Sequence, residues 1–134
     1  MTDFTVQTTK TGRAIDSRWR ASRHGHGTAR PGQIDATKFT EGVNVFGGII
    51  PSGVALSELP SGLYRPWNPA AAAGTEGSVL DGFVDDESGV VLSPNATIAV
   101  LKHGDIATPY LPIAAQRVVS RETPTSGLFT FQED

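Results

Sequence analysis

The sequence predicts a mainly β domain: short strands, one or two short helical turns, and an extended N-terminal arm. Three observations support this. The 134 residues include 15 Gly and 9 Pro, a composition suited to short strands joined by turns. No stretch keeps a helical spacing of apolar residues over three turns. The apolar residues instead fall in runs of three to five, bounded by Pro-Ser-Gly, Gly-Gly, Asp-Asp-Glu-Ser-Gly and similar breakers.

Taken in order, residues 1–33 are polar, and only Phe4, Val6, Ile15 and Trp19 break the run of Thr, Arg, Gly and His. So little apolar surface does not offset the entropy of ordering the segment, so residues 1–33 read as an arm and residues 34–134 as the β-rich body. Removing residues 1–33 is therefore expected to leave a folded body. Residues 33–40, QIDATKFT, alternate at Ile34 and Ala36 and read as a short strand. Val43 and Val45 begin a second, with Gly47-Gly48 as a bulge or bend.

Residues 54–67 form the clearest element, a hairpin. Val54, Leu56, Leu59, Leu63, Tyr64 and Trp67 make one apolar set across a Pro60-Ser61-Gly62 corner, with Gly62 placed for the positive φ of a type II turn. Asn68 as N-cap and Pro69 at the first helical position predict one helical turn over residues 70–73, ended by Gly74. Residues 78–84 read as a strand and residues 85–89 as an exposed acidic turn. Residues 98–101 and the region of Ile106 read as two strands around Lys102-His103-Gly104-Asp105. Residues 117–119 and 127–131 are further strand candidates.

The net charge of −3 hides an asymmetry: residues 1–40 carry seven Lys and Arg against three Asp, and residues 41–134 carry four against eleven acidic residues. A basic leader on an acidic body suits either a solvated tail or a partner-binding arm. Trp19, between Arg18 and Arg20, must either fold back on the body or insert into a partner. Cysteine is absent, which excludes disulfides and thiolate metal sites. No apolar run approaches the ~20 residues of a membrane span, so no membrane partner is expected. The first residues lack the pattern of a secretory signal.

Candidate chemistry is sparse. His24 and His26, with His103, are the one set resembling a metal trio, but flanking glycines and the lack of a nearby carboxylate favour a plain turn. Asp81, Asp85, Asp86 and Glu87 lack the alternation of a calcium loop. There is no G-x-S-x-G elbow and no phosphate-binding glycine loop. A single aromatic among the basic residues makes a poor nucleic-acid platform. Neither an enzyme, a cofactor, a metal site nor a nucleic-acid partner is expected.

Four stretches, in order, carry a resemblance. They are WRASRHGHGTAR (residues 19–30), QIDATKFTEG (33–42), IIPSGVALSELPSGLYRPWNPAA (49–71), and GFVDDESG (82–89) followed by AVLKHGDIATPYLPI (99–113). Together they resemble the bacteriophage head decoration proteins of the phage lambda head protein D family, in the longer form found in phages of actinobacteria. The pattern departs at Leu59, where the family has Ile, at Asp105, and throughout residues 114–134.

The resemblance implies a β-clip-like or β-barrel-like body that forms homotrimers. These would sit at three-fold and quasi-three-fold positions on the outer surface of the expanded capsid, clamping the major capsid protein. The protein would be made in the host cytoplasm and reside in the virion. On this reading Arg18, Trp19, Arg20, Arg23, His24 and Arg30 are the capsid-binding residues of the arm, with Trp19 as the anchor. Leu56, Leu59, Tyr64, Trp67, Phe83 and Leu101 supply core and trimer contacts. The alternative is a virion-surface module binding carbohydrate or host, with a shallow aromatic site at Tyr64 and Trp67.

Overall fold

The computed structural model describes residues 18–22 and 29–132. It shows a mostly β domain with several sheets and a few short 3₁₀ turns. Among the described residues the strands are β1 (Arg30–Gln33), β2 (Ile49–Ile50), β3 (Ala55–Glu58), β4 (Tyr64–Pro66), β5 (Gly82–Val84), β6 (Val90–Val91), β7 (Thr97–Leu101), β8 (His103–Ala107) and β9 (Leu128–Gln132). Five of them form an antiparallel sheet in the order β1-β7-β5-β3-β4. β2 pairs antiparallel with β6, and β8 pairs parallel with β9.

The large sheet is buried on both faces. Strand alternation sends Ala55, Phe83 and Leu101 into one apolar cluster and Leu56, Val84 and Val100 into the other. The first cluster is closed by β8, β9 and Trp19, and the second by Ile34, Phe39, Val45, Ile50 and Val90. A sheet covered on both sides explains why VAL and IAVL read as unbroken apolar runs rather than as alternation.

The hairpin predicted over residues 54–67 is β3–β4, with Leu56 opposite Pro66 and Glu58 opposite Tyr64. Its corner differs in detail from the prediction. The Gly62 N–H donates to the Leu59 carbonyl at 2.8 Å, and the Leu59 N–H to the Leu63 carbonyl at 2.8 Å. Gly62, at φ 91°, therefore follows the turn as a bulge residue instead of occupying its third position.

Other expectations need correction. Residues 70–73 form no helix: the Asn68 side chain accepts from the Ala70 N–H, giving a local turn instead. Residues 117–119 are not a strand, because Ala114–Val118 winds as a 3₁₀ helix that buries Gln116. Residues 78–84 contribute a strand only at Gly82–Val84, although Leu80 makes one bridge to Thr125. Of residues 33–40, only Gln33 lies in a strand. Ile34 makes one bridge and Ala36–Lys38 is a 3₁₀ turn capped by Asp35, whose carboxylate accepts from the Thr37 N–H.

The boundary expected at residues 33/34 does not mark the edge of the packed body. Arg30–Gln33 is an edge strand on β7, and Pro31 is tolerated there because an edge strand has N–H positions that need no partner. Residues 19–21 lie along β8 on the side opposite β9. The Ala21 N–H donates to the Asp105 carbonyl at 2.9 Å and the Ala107 N–H to the Trp19 carbonyl at 2.7 Å. A cut at residue 33 would remove both elements, so the truncated chain is not expected to keep the fold. Immediately after β1, Ile34 bridges Tyr64 of β4, so the two edges of the large sheet touch at one point.

Candidate functional site

The densest meeting of sequence-predicted residues surrounds Trp19. Its side chain is fully buried. The indole N–H donates to Ser52 Oγ at 3.0 Å, and the ring stacks on Phe83 with centroids 5.8 Å apart. Phe83 meets Phe129 edge-on at 5.1 Å, which carries the aromatic contact out to β9. Gly53 closes the far wall. Its φ is 94°, and a β-carbon there would stand 2.8 Å from the indole Cδ1, so glycine is required both by conformation and by space.

Arg20 locks the segment. Its Nε donates to Asp85 Oδ1 at 2.7 Å and its Nη2 to the Asp85 carbonyl at 2.9 Å, while its guanidinium lies 4.8 Å from the Trp19 ring centroid. The two side chains of this ion pair are only 12% and 8% exposed, so removing either partner strands a charge with little water around it. The Ser22 and Thr130 hydroxyls both donate to the Asp105 carboxylate, tying the segment and β9 to the same β8 residue.

Several expectations change here. Trp19 is a core residue of its own chain, so it cannot serve as an exposed partner anchor, and Arg20 is committed to Asp85. Arg18 is exposed, with its guanidinium 4.7 Å from the Tyr110 ring centroid, and Arg30 is exposed on β1. Arg23, His24 and His26 lie outside the described residues. Leu56, Leu59, Tyr64, Trp67, Phe83 and Leu101 are all buried within the chain. The shallow aromatic platform expected at Tyr64 and Trp67 is not formed: the Trp67 indole N–H points to the Ser78 carbonyl at 3.3 Å.

The acidic turn is not simply solvated. Asp85 is paired, and Asp86 Oδ2 accepts from the Ala99 N–H at 3.1 Å. Burial pushes the Asp86 carboxyl above its ordinary value of 3.8, the nearby Asp85 charge adds to the rise, and the Ala99 bond opposes it. A raised folded-state value favours the protonated form on folding. The contribution is fully present below 3.8 and is lost as pH rises through the folded value. Asp86→Asn, whose amide oxygen still accepts from Ala99, should therefore be more stable than wild type near neutral pH. The gain should vanish at acid pH. Urea titrations across a pH series would show it, and a loss of stability at neutral pH would contradict it.

Sequence reasoning missed Gln116. Its Oε1 accepts from the Ala55 N–H at 2.8 Å, and its Nε2 donates to the Ala55 and Trp67 carbonyls at 3.0 and 2.9 Å. The side chain is buried and ties the Ala114–Val118 turn to the large sheet. An isolated Gln in AAQRVV carries no pattern that announces this.

Among the described residues no group of three or more His, Asp or Glu is placed to hold a metal ion, and His103 is half-buried at the start of β8. No described helix is long and apolar enough to cross a membrane. The fold and site thus define a mostly β domain stapled across its sheets by an N-terminal Trp-Arg pair. No family model, curated protein or solved structure matches the chain.

Proposed function

We propose that this chain is a bacteriophage capsid decoration protein. It would bind as homotrimers at three-fold and quasi-three-fold positions on the outer surface of the expanded capsid and clamp the major capsid subunits, without catalysis or cofactor. One observation carries the reading. Three of the four stretches that bear the family resemblance are distant in sequence but meet around Trp19. Trp19 and Arg20 come from the first, Ser52 and Gly53 from the third, and Phe83, Asp85 and Ala107 from the two parts of the fourth. Motifs that are weak singly are here parts of one packed knot, which supports reading them together. The touching edges of the large sheet at Ile34 and Tyr64 suit the closed, barrel-like or clip-like body that this reading entails.

The clamp needs no reactive group. A protein that binds the assembled lattice better than separate subunits stabilises the lattice by that difference, and three copies acting together amplify modest contacts. With Trp19 and Arg20 engaged internally, the grip falls to other residues, of which the exposed Arg18 and Arg30 are the candidates among those described.

The test is electron cryomicroscopy of expanded, undecorated capsids, assembled from the major capsid protein of the same genome and mixed with the purified chain. Trimeric density over the three-fold positions is expected. Bare capsids at saturating protein would overturn the proposal.

A further inference from the structure

A cleft of about 430 Å³ opens beside the 3₁₀ turn Thr108–Tyr110, between Tyr110 and Pro112 on one side and Phe46, Ile49 and Pro51 on the other. A second cleft of about 300 Å³ adjoins it and shares Pro109 and Arg117. The two make one trough with Arg117 at the junction. Phe46 and Tyr110 are 47% and 44% exposed there, the Tyr110 ring with the Arg18 guanidinium 4.7 Å from its centroid.

The charge is unusual for this protein. The chain carries −3 overall, yet neither cleft is lined by a single Asp or Glu, while Arg18 and Arg117 both line the larger one. Arg117 Nε donates to the Leu111 carbonyl at 2.7 Å, which fixes the guanidinium plane. Its terminal amino groups have no partner among the described residues, leaving a planar fork of the kind that pairs with carboxylates. The rest of the wall suits an extended chain. Proline rings are rigid and lose little freedom on binding, and prolines and aromatics together form the grooves that hold extended, proline-containing segments. Two adjoining clefts exceed what one side chain fills.

We propose that this trough binds an extended peptide segment of another protein, in which a carboxylate flanked by aromatic or proline side chains pairs with Arg117. The binding rests on the trough's own chemistry and does not depend on the capsid reading.

The test uses the full chain, ¹⁵N-labelled, and a fluorescent end-blocked peptide of sequence Asp-Phe-Pro-Asp-Pro. The control peptide carries Asn in place of both Asp. Wild type should bind the Asp peptide about tenfold more tightly than the Asn peptide, the scale of one charge-assisted bidentate pair. Amide shifts should concentrate in residues 46–51 and 109–118. Arg117→Gln should bind both peptides equally, and Phe46→Ser should weaken both. Four outcomes would overturn the proposal: no preference for Asp over Asn in wild type, absence of binding to either peptide, a preference that survives Arg117→Gln, or phenylacetate binding as tightly as the peptide. Self-association of the wild-type chain that Arg117→Gln abolishes would assign the trough to a second copy and overturn it as well. The comparison of the two peptides on wild type decides the matter even if a variant fails to fold.

Discussion

Trp19→Ala should lower the unfolding free energy by about 3–5 kcal/mol, the range for truncating a fully buried aromatic to alanine. The loss has three parts. The indole leaves a cavity between Gly53 and Phe83, the Ser52 hydroxyl loses its donor, and the Arg20 guanidinium loses the ring beside it. Against a total stability of roughly 5–15 kcal/mol for an ordinary domain, this is a large fraction. Urea unfolding followed by Trp67 fluorescence would measure it, since the second tryptophan remains as reporter. Trp19→Phe should recover part of the loss by refilling the cavity without restoring the hydrogen bond. A Trp19→Ala protein within about 1 kcal/mol of wild type would mean that the indole does not sit in the core, because cavity formation alone costs more than that.

Gln116→Leu should cost about 2–4 kcal/mol, although leucine has similar bulk and is more apolar. The reason is the two backbone groups it abandons. The Ala55 N–H loses the Gln116 oxygen, and the Trp67 carbonyl loses the Gln116 amide. Each buried orphan costs about 1–3 kcal/mol, which outweighs the gain from an apolar replacement. The Ala55 carbonyl keeps the Trp67 N–H, so it does not add to the sum. The midpoint of denaturation should fall with little change in its slope, because the surface exposed on unfolding is almost the same. A variant as stable as wild type would show that the three hydrogen bonds are not formed in solution.

What the sequence made legible follows from whether a feature is local. The β3–β4 hairpin was readable because Pro60 and Gly62 state their backbone requirements within three residues, and the apolar residues flank them. β9 was readable as a strand from GLFTF, but its parallel pairing with β8 was not, since period two identifies a strand and says nothing of its neighbour. The helical turn at residues 70–73 failed because Asn68 satisfies the Ala70 N–H in a shorter loop. Just beyond, the Glu76 carboxylate accepts Lys38 and Arg65 as partners.

Trp19 shows the limit most clearly. Its chemistry demanded burial, and the sequence offered two burial places, its own body or a partner. The choice depended on Ser52, Gly53 and Asp85, each more than thirty positions away. Asp85 itself read as a solvated residue in an acidic run, because the cation that pairs with it is 65 residues distant. Gln116 was invisible for the same reason: its partners lie 61 and 49 residues away.

β8 is gripped on one side by residues 19–21 and on the other by β9, and Ser22 reaches Asp105 across 83 positions of sequence. While the chain is being synthesised, this layer therefore cannot close until β9 has cleared the ribosome. Until that moment one edge of β8 is unpaired and Phe83 lacks its edge-on partner Phe129. The entropy of closing so long a loop is lost before any contact repays it, which slows the final step. Nascent chains stalled ahead of β9 should accordingly be captured by chaperones and digested by proteases, whereas released full-length chains should resist both.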